Sequence, residues 1–494
     1  MHIVLWDTRR GDVTKDFAGG FGVGQFPQRR GLAARLIRRA FTRDRRPVAL
    51  AYAYLAAIFR ELGHTVEYAE DHVPAGADAY VFHPALVTLP LERKAIRQAR
   101  EASPGCRVFV VGLVAHALCE VFADSGVTVL RGECEQLFWK FDAVLADSRP
   151  VIDLGRVADL DALPLPDWSL FGPRRFRVSY DFWQFPTAFV QSSRGCSLSC
   201  NYCPYIVVEK AVRARQPENV VAEIAQGAER YGFRSFKFRD PLFGLDRPGT
   251  LELAARLSRL TRPVQFSIES RIDLLREDTL RDLRAAGLTS ITFGIETPDE
   301  ATLRRYRRAP IRDDRQRDFI ELCRRLGIRT VAGFMIGFPD DTAEQVESVL
   351  RYARGLNPTF ANFNVVTPYP GTEFFAQVKH QIADFDYSQY SVYNPVLKYQ
   401  HLTPERLAEL HTRMFVSYYF RSRWFEANAH LVWPGLQSLG LGRGKMETGA
   451  ATVRKSGTSR KAISAEDTRT QTNPGRSTDH QREESDATRR QHAA

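Results

Sequence analysis

The chain has 494 residues, 44% hydrophobic and 26% charged, with a net charge of +11. That composition excludes a globally disordered protein, and the length leaves room for two or three domains. No apolar run approaches the ~20 residues of a spanning helix, so none is expected. Seven cysteines and an opening MHIVLW that charge soon interrupts fit a cytoplasmic chain whose first segment is a strand and not a secretory leader.

Residues 1–150 alternate apolar strands with amphipathic helices. Strands are expected at His2–Trp6, Thr65–Tyr68, Ala79–His83, Arg107–Gly112 and Val127–Arg131, with helices over 47–62, 91–102, 115–125 and 133–145. This pattern predicts a doubly wound, Rossmann-like parallel sheet with its ligand site at the carboxyl ends of the strands. GGFGVGQFP after the first strand is glycine-rich but opens into no helix, so it is not a dinucleotide fingerprint. Residues 29–46 carry eight arginines against Asp44. A helix there would put Leu32, Ala33, Leu36, Ile37, Ala40 and Phe41 on one stripe. Three readings stand: a solvated face packed on its own domain, a contact with an anionic membrane surface or lipid substrate, and a contact with nucleic acid.

A linker rich in proline and aromatics follows at 151–186. Six further strands are expected at Thr187–Ser192, Ser235–Arg239, Val264–Glu269, Ser290–Glu296, Thr330–Gly337 and Phe360–Thr367. Pro217 stands at a first-turn position, Thr250 and Thr342 at caps or first turns, and Gly287 and Gly327 at helix ends. Six βα units over 187–380 predict a partial TIM-type (βα)6 barrel, short of the full eight. A helical cap over 381–438, with its amphipathic pattern at 403–433, precedes a polar tail, 439–494, expected to be disordered.

The stretch RGCSLSCNYC, residues 194–203, spaces three cysteines as C-x-x-x-C-x-x-C. Cubane iron–sulfur clusters ordinarily take four thiolates, so three ligands leave one iron open for chemistry. Zinc would want a fourth ligand, yet no histidine lies near in sequence, and the nearest other cysteines are Cys134 and Cys323. An odd cysteine total in so long a chain argues against a disulfide scaffold. Polar residues collect at the expected carboxyl ends of the barrel strands: Asp240, then Glu269 with Arg271, then Glu296, then Asp340. Charges at equivalent ends of successive strands point to one lined site.

RGCSLSCNYC, with aromatic Tyr202 before its last cysteine, resembles the signature of the radical S-adenosylmethionine superfamily. FGIET, GFMIGFPDDT and TPYPGTEFF resemble the branch that carries an N-terminal cobalamin-binding domain. That branch includes methylases of unactivated carbon and phosphorus and a ring-forming enzyme of chlorophyll synthesis. The resemblance implies a [4Fe–4S] cluster on Cys196, Cys200 and Cys203, with S-adenosylmethionine chelating the open iron. It implies contacts to S-adenosylmethionine from Tyr202, Asp240, Glu269, Arg271, Glu296, Gly333 and Gly337. VVGLVAHA and VLRGECEQLF resemble loops of the cobalamin domain, 1–150, and imply contacts to cobalamin from Gly112, His116, Gly132 and Glu133.

The motif D-x-H-x-x-G, whose histidine binds cobalt from below in some cobalamin domains, is absent; the first strand ends in Asp7-Thr8-Arg9-Arg10-Gly11. His83 and His116 read more readily as packing or hydrogen-bonding side chains than as ligands. The resemblance implies a methyltransferase acting on an unactivated centre of a small molecule or lipid, through a 5′-deoxyadenosyl radical and methylcobalamin. The alternative is a radical cyclase, oxidoreductase or rearrangement enzyme without methyl transfer. The partners expected are that substrate and an electron donor such as flavodoxin or ferredoxin, with no nucleic acid.

Overall fold

The computed structural model describes residues 1–8, 13, 15, 17–24, 26, 31–41, 48–172, 176, 186–207 and 210–438. The expected disordered tail lies outside them, as do Phe182, Trp183 and Phe185 of the aromatic linker and most arginines of 29–46.

The first sheet contains β1 (His2–Trp6), β2 (Thr65–Ala69), β3 (Ala79–Phe82), β4 (Arg107–Val110), β5 (Thr128–Gly132) and β6 (Val151–Gly155), in the order β2-β1-β3-β4-β5-β6. Every pair is parallel. Its central strands are buried on both faces, as helices on either side of a parallel sheet require. The strand order reverses between β1 and β3, so the crevice for a ligand opens there, beyond the strand ends. β6 was expected to be linker. Its pattern Val-Ile-Asp-Leu-Gly buries Ile152 and Leu154, enough to add an edge strand beside β5.

α1 (Leu32–Phe41) and α2 (Leu50–Glu61) lie between β1 and β2. The apolar stripe of α1 is narrower than its periodicity predicts. Ala34 and Ile37 are buried, whereas Leu32 is 74% and Leu36 45% exposed.

The second sheet runs β14-β13-β12-β11-β10-β7, again with every pair parallel. Its strands are β7 (Thr187–Val190), β10 (Ser235–Phe238), β11 (Gln265–Ser270), β12 (Leu288–Glu296), β13 (Arg329–Ile336) and β14 (Phe360–Val365). β7 and β14 do not pair, so the barrel stays open. Pro217 begins its helix, Thr342 caps the helix Ala343–Leu356 with Gln345 in a reciprocal box, and Thr250 sits in a first turn. In β13 and β14 alternate residues face the helices and the barrel interior, giving a strict buried and part-buried alternation. The pattern at 403–433 is two helices, Pro404–Tyr419 and Ser422–Ser438, separated at Phe420 and Arg421.

The two sheets are joined by ions at the base of the cysteine loop. There β8 (Ser193–Arg194) pairs antiparallel with β9 (Arg213–Ala214). Glu133, just after β5, takes both ends of the Arg213 guanidinium at 2.6 and 2.9 Å and receives the Val157 N–H at 2.7 Å. Arg194 donates to Glu135 at 2.8 Å and lies 3.6 Å from Glu133. Burial works against the Glu133 carboxylate, but Arg213 and Arg194 outweigh it and hold its pKa below the ordinary range. A forked guanidinium on a carboxylate is the geometry that best offsets such burial.

Replacing Glu133 with alanine should leave the part-buried Arg213 guanidinium without its carboxylate and lower the unfolding free energy by about 3 kcal/mol, read by chemical denaturation. Because its folded pKa is depressed, the clamp should be complete above the ordinary glutamate pKa of about 4.3 and be lost as pH falls through the folded value.

Candidate active site

The cysteine loop is fixed at both ends before any cofactor is considered. Asp240, following β10, is fully buried and accepts the Ser192 N–H at 2.9 Å and the Ser192 and Ser193 hydroxyls at 2.6 and 2.7 Å. Further along, the Asn201 N–H donates to Tyr306 and its carbonyl accepts the Phe374 N–H, while the Cys203 N–H returns to Cys200. Cys196 and Cys200 are buried, Cys203 is part-buried, and none of the seven cysteines is bonded to another. Burial first, and then Cys200 and Cys196, push the Cys203 thiol up to about 12.

Among the described residues no three His, Cys, Asp or Glu side chains stand at the spacing of ligands to a single ion. A cubane cluster attaches each thiolate to a different iron, so its ligands stand further apart than those of one zinc. Three thiols suit a cubane cluster with one open iron and leave zinc without a fourth ligand. Unsatisfied polar atoms collect beside it. Asn201 Oδ1, Tyr202 Oη and Arg271 Nη1 are buried without a hydrogen-bond partner. Buried orphans are rare in folded proteins, and several at one place fit a polar ligand such as an amino acid with its carboxylate.

Glu296 and Arg308 complete this corner. β12 carries an irregularity between Gly294 and Glu296, and Glu296 has φ +71°, in the left-handed region. That re-aims the carboxylate at Arg308 Nη1, 3.4 Å away. Arg308 also donates to the Gly294 carbonyl at 2.5 Å and lies 4.0 Å from the Cys200 sulfur. Burial raises the Glu296 pKa, opposed by Arg308 and Arg271.

Inside the barrel is a cavity of about 460 Å³. Lys237, Glu269, Thr292, Gly333 and Asn362 line it from successive strands, with Tyr202 and Glu296 at the cysteine end and Tyr393 and Tyr419 opposite. Most of the remaining wall is apolar. Its ionic part is one network. Glu269 pairs with Arg239 and with Lys237, the latter at 3.3 Å. The Tyr205 hydroxyl lies 3.1 Å from Arg239 and 3.5 Å from Glu269. Burial disfavours the Glu269 carboxylate, yet Arg239 and Lys237 hold its pKa below the ordinary range.

A second cleft, of about 220 Å³, lies at the carboxyl ends of the first sheet. His83, Gly112, Gly132 and Glu133 line it on one side, and Arg194, Tyr205 and Arg239 on the other. Tyr205 belongs to both cavities. The segment Phe17–Gly24 closes the space between them, with Phe17 stacked on the Arg239 guanidinium at 4.2 Å and Phe21 on Tyr369 at 5.1 Å.

The structure thus brings Tyr202, Glu269, Glu296 and Gly333 to the barrel cavity, and Gly112, Gly132 and Glu133 to the cleft. Asp240 braces the loop from behind. Arg271 pairs with Asp273 at 2.9 Å, its remaining guanidinium nitrogen unsatisfied near Cys196. Gly337 N–H is taken by Asp341 at 2.7 Å, and a Cβ there would stand 2.6 Å from Leu407, so it serves a turn at φ +78°. His116 is half-buried off the cleft, its pKa lowered by burial and then by Arg131.

Sequence reasoning missed Lys237, Arg239, Tyr205 and Arg308. Phe-Lys-Phe-Arg across β10 carried a usable signal, since phenylalanines facing the helices put Lys237 inside the barrel. Arg308 had none. It sits in a run of exposed arginines, and only the left-handed turn at Arg307, φ +58°, sends it inward.

Residues 190–353 match the model of the Radical SAM superfamily. An uncharacterized methyltransferase of Pyrococcus horikoshii is 25% identical over 270 residues, 54% of this chain and 58% of that one. An anaerobic magnesium-protoporphyrin IX monomethyl ester cyclase of Cereibacter sphaeroides is 26% identical over 283 residues, 56% and 45%. The chain thus spans about half the length of these two relatives. Hopanoid C-3 methylase of Methylococcus capsulatus is 24% identical over 411 residues, 76% and 78%. Among solved structures, the cobalamin-dependent S-adenosylmethionine radical enzyme OxsB, with aqua-cobalamin and S-adenosylmethionine bound, superposes with a TM-score of 0.60 at 12% identity, covering 89% of this chain and 72% of that one. At that identity the likeness is one of fold. The three-cysteine loop at the mouth of the parallel partial barrel lies inside that match, which spans four of the barrel strands, so residues 190–353 form a radical SAM domain that follows a doubly wound domain.

Proposed function

We propose that the chain is a cobalamin-dependent radical S-adenosylmethionine methyltransferase acting on an unactivated centre of an apolar small molecule or lipid. The observation that carries this reading is the shared wall. One cleft opens from the strand ends of each sheet, and Tyr205 lines both. When bound, the cluster and S-adenosylmethionine supply a hydrogen-abstracting radical, and cobalamin supplies a methyl group.

The chain's own residues do the rest. Cys196, Cys200 and Cys203 hold the cluster. Arg271 and Arg308 receive a carboxylate, for which a planar fork is suited, and Glu296 receives an ammonium. Tyr202 and Gly333 flank the adenine. Gly112 and Gly132 line the cleft proposed for the corrinoid, and each is a glycine because a Cβ would meet the protein itself, at His83 and Gly155 respectively. The cleft as it stands, about 220 Å³, is smaller than a corrinoid. The apolar barrel wall supports an apolar substrate, as do relatives named for hopanoid and porphyrin chemistry.

Anaerobic reconstitution with iron and sulfide should give a brown protein, and Cys200→Ala should remove the colour; a colourless wild type refutes the radical reading. Turnover should release 5′-deoxyadenosine and S-adenosylhomocysteine in equal amounts. The cyclase reading, which the Cereibacter relative favours, predicts the first without the second.

Replacing Glu296 with alanine should leave Arg308 buried beside Cys200 without its carboxylate. We expect a loss of about 3–5 kcal/mol by denaturation and weaker S-adenosylmethionine binding by calorimetry, with Glu296→Gln milder in both.

A contact with an anionic membrane surface rests on α1, whose exposed Leu32 and Leu36 flank Arg35. Vesicles containing acidic phospholipid should co-sediment the wild type, and the double variant Leu32→Glu, Leu36→Glu should stay in solution. Equal sedimentation of the two refutes the contact.

A further inference from the structure

We propose that Arg308 sets the reduction potential of the cluster held by Cys196, Cys200 and Cys203, raising it by placing a fixed positive charge against the Cys200 sulfur, with Glu296 as the opposing charge. The inference rests on the cluster reading above and adds to it the residue pair that tunes how readily the cluster takes an electron.

The guanidinium is fixed at three points. Arg308 Nη1 lies 4.0 Å from Cys200 Sγ and 3.4 Å from Glu296 Oε1, and Nη2 donates to the Gly294 carbonyl at 2.5 Å. Among the described residues no other side chain donates to the sulfur of any of the three cysteines. The backbone holds the same relation. The Asn201 N–H, next to Cys200, donates to the Tyr306 carbonyl at 3.2 Å, and the Arg308 N–H closes its own turn on the Leu303 carbonyl at 2.8 Å. From the other side Arg271 Nη2 reaches the Ala309 carbonyl at 3.4 Å. Neighbouring arginines do something else. Arg304, Arg305 and Arg307 are 54–67% exposed and pair at the surface with Glu300, Asp340 and Glu373. Arg308 is 11% exposed, so of this run its charge alone is withheld from solvent.

Cluster potentials respond to net charge, to hydrogen bonds on the sulfurs and to solvent exposure. Arg308 acts through the first two. Three thiolates make the oxidised cluster anionic, and reduction by an external donor adds one more electron. A guanidinium is not deprotonated in proteins, so it favours the reduced form over the oxidised one. Burial makes the effect large, because a charge withheld from water is little screened. Glu296 opposes it from the far side of the same guanidinium. Stability gives no reason for this arrangement. A buried ion pair rarely outperforms apolar side chains of the same volume, and the left-handed Glu296 backbone, φ +71°, adds strain. Both costs fall beside one sulfur, where a charge has an electronic use.

The test is a dithionite titration of the reconstituted full-length protein followed by electron paramagnetic resonance. S-adenosylmethionine is left out, so that its binding does not enter the result. Arg308→Met should lower the midpoint potential and Glu296→Gln should raise it. Each should change the ratio of reduced to oxidised cluster at a given potential about tenfold, which is about 59 mV for one electron. Arg308→Lys, which keeps the charge, should stay near the wild type, and Arg307→Gln at the exposed neighbour should leave the midpoint where it is. Disturbed packing alone has no reason to move the two variants in opposite directions. If Arg308→Met holds no cluster, Glu296→Gln still decides. A midpoint indifferent to Glu296→Gln overturns the proposal, as do shifts of the same sign in both variants, or an Arg308→Lys midpoint equal to that of Arg308→Met. A wild type that takes up no cluster overturns the cluster reading itself.

Discussion

The working geometry depends on the ionic clamp between Glu133, Glu135, Arg194 and Arg213. Arg194 and Arg213 flank the cysteine loop, and the two glutamates lie in the turn that follows β5 of the other sheet. Removing four charges from water costs free energy that mutual attraction only partly returns, so a clamp of this kind is weak evidence for stability alone. What it secures is register. The fork of Arg213 fits one carboxylate in one orientation, so β9, β8 and hence Cys196 are positioned against the cleft of the first sheet. Apolar contacts of the same area would permit sliding.

Strain appears where this positioning continues into the barrel. Glu296 and Arg307 both hold left-handed backbone angles; the first aims a carboxylate at Arg308, and the second brings that arginine to 4.0 Å from the Cys200 sulfur. Such conformations persist only when surrounding contacts over-determine them. Here the contacts are the β12–β13 irregularity, the Arg308 hydrogen bond to Gly294, and the stacked rings of Tyr306 and Phe338 at 4.4 Å.

Periodicity made most strands legible, since apolar runs of four to nine residues recur between amphipathic helices. It failed where one residue's role depends on a distant partner. Asp240 looks like a ligand at a strand end, but its partners are two serines that precede the cysteines. Gly337 looks like an adenine contact, but its N–H is spent on Asp341. Leu32 and Leu36 belong to a helical stripe by spacing, yet α1 packs through the narrower edge of Ala34 and Ile37. β6 was hidden because a short edge strand with one polar face reads as linker. The cysteine triplet needed no partner to be recognised, which is why it was clearest in the sequence and why the arginines serving it were obscure.

The ionic wall between the two cavities also bears on water. A lysine and an arginine share one glutamate at the edge of an apolar chamber, and each cation left unpaired would draw solvent inward. Glu269 prevents this by accepting from both, at the cost of its own desolvation, and Tyr205 spans the remaining gap. Phe17 then covers the Arg239 guanidinium from the other side, a contact worth roughly 1–2 kcal/mol when shielded from solvent. The ionic groups between the two cavities are therefore paired with one another before any ligand arrives. A reactive species generated beside Cys196, Cys200 and Cys203 meets apolar side chains and paired ions in place of water, which is the condition that radical chemistry requires of a protein interior.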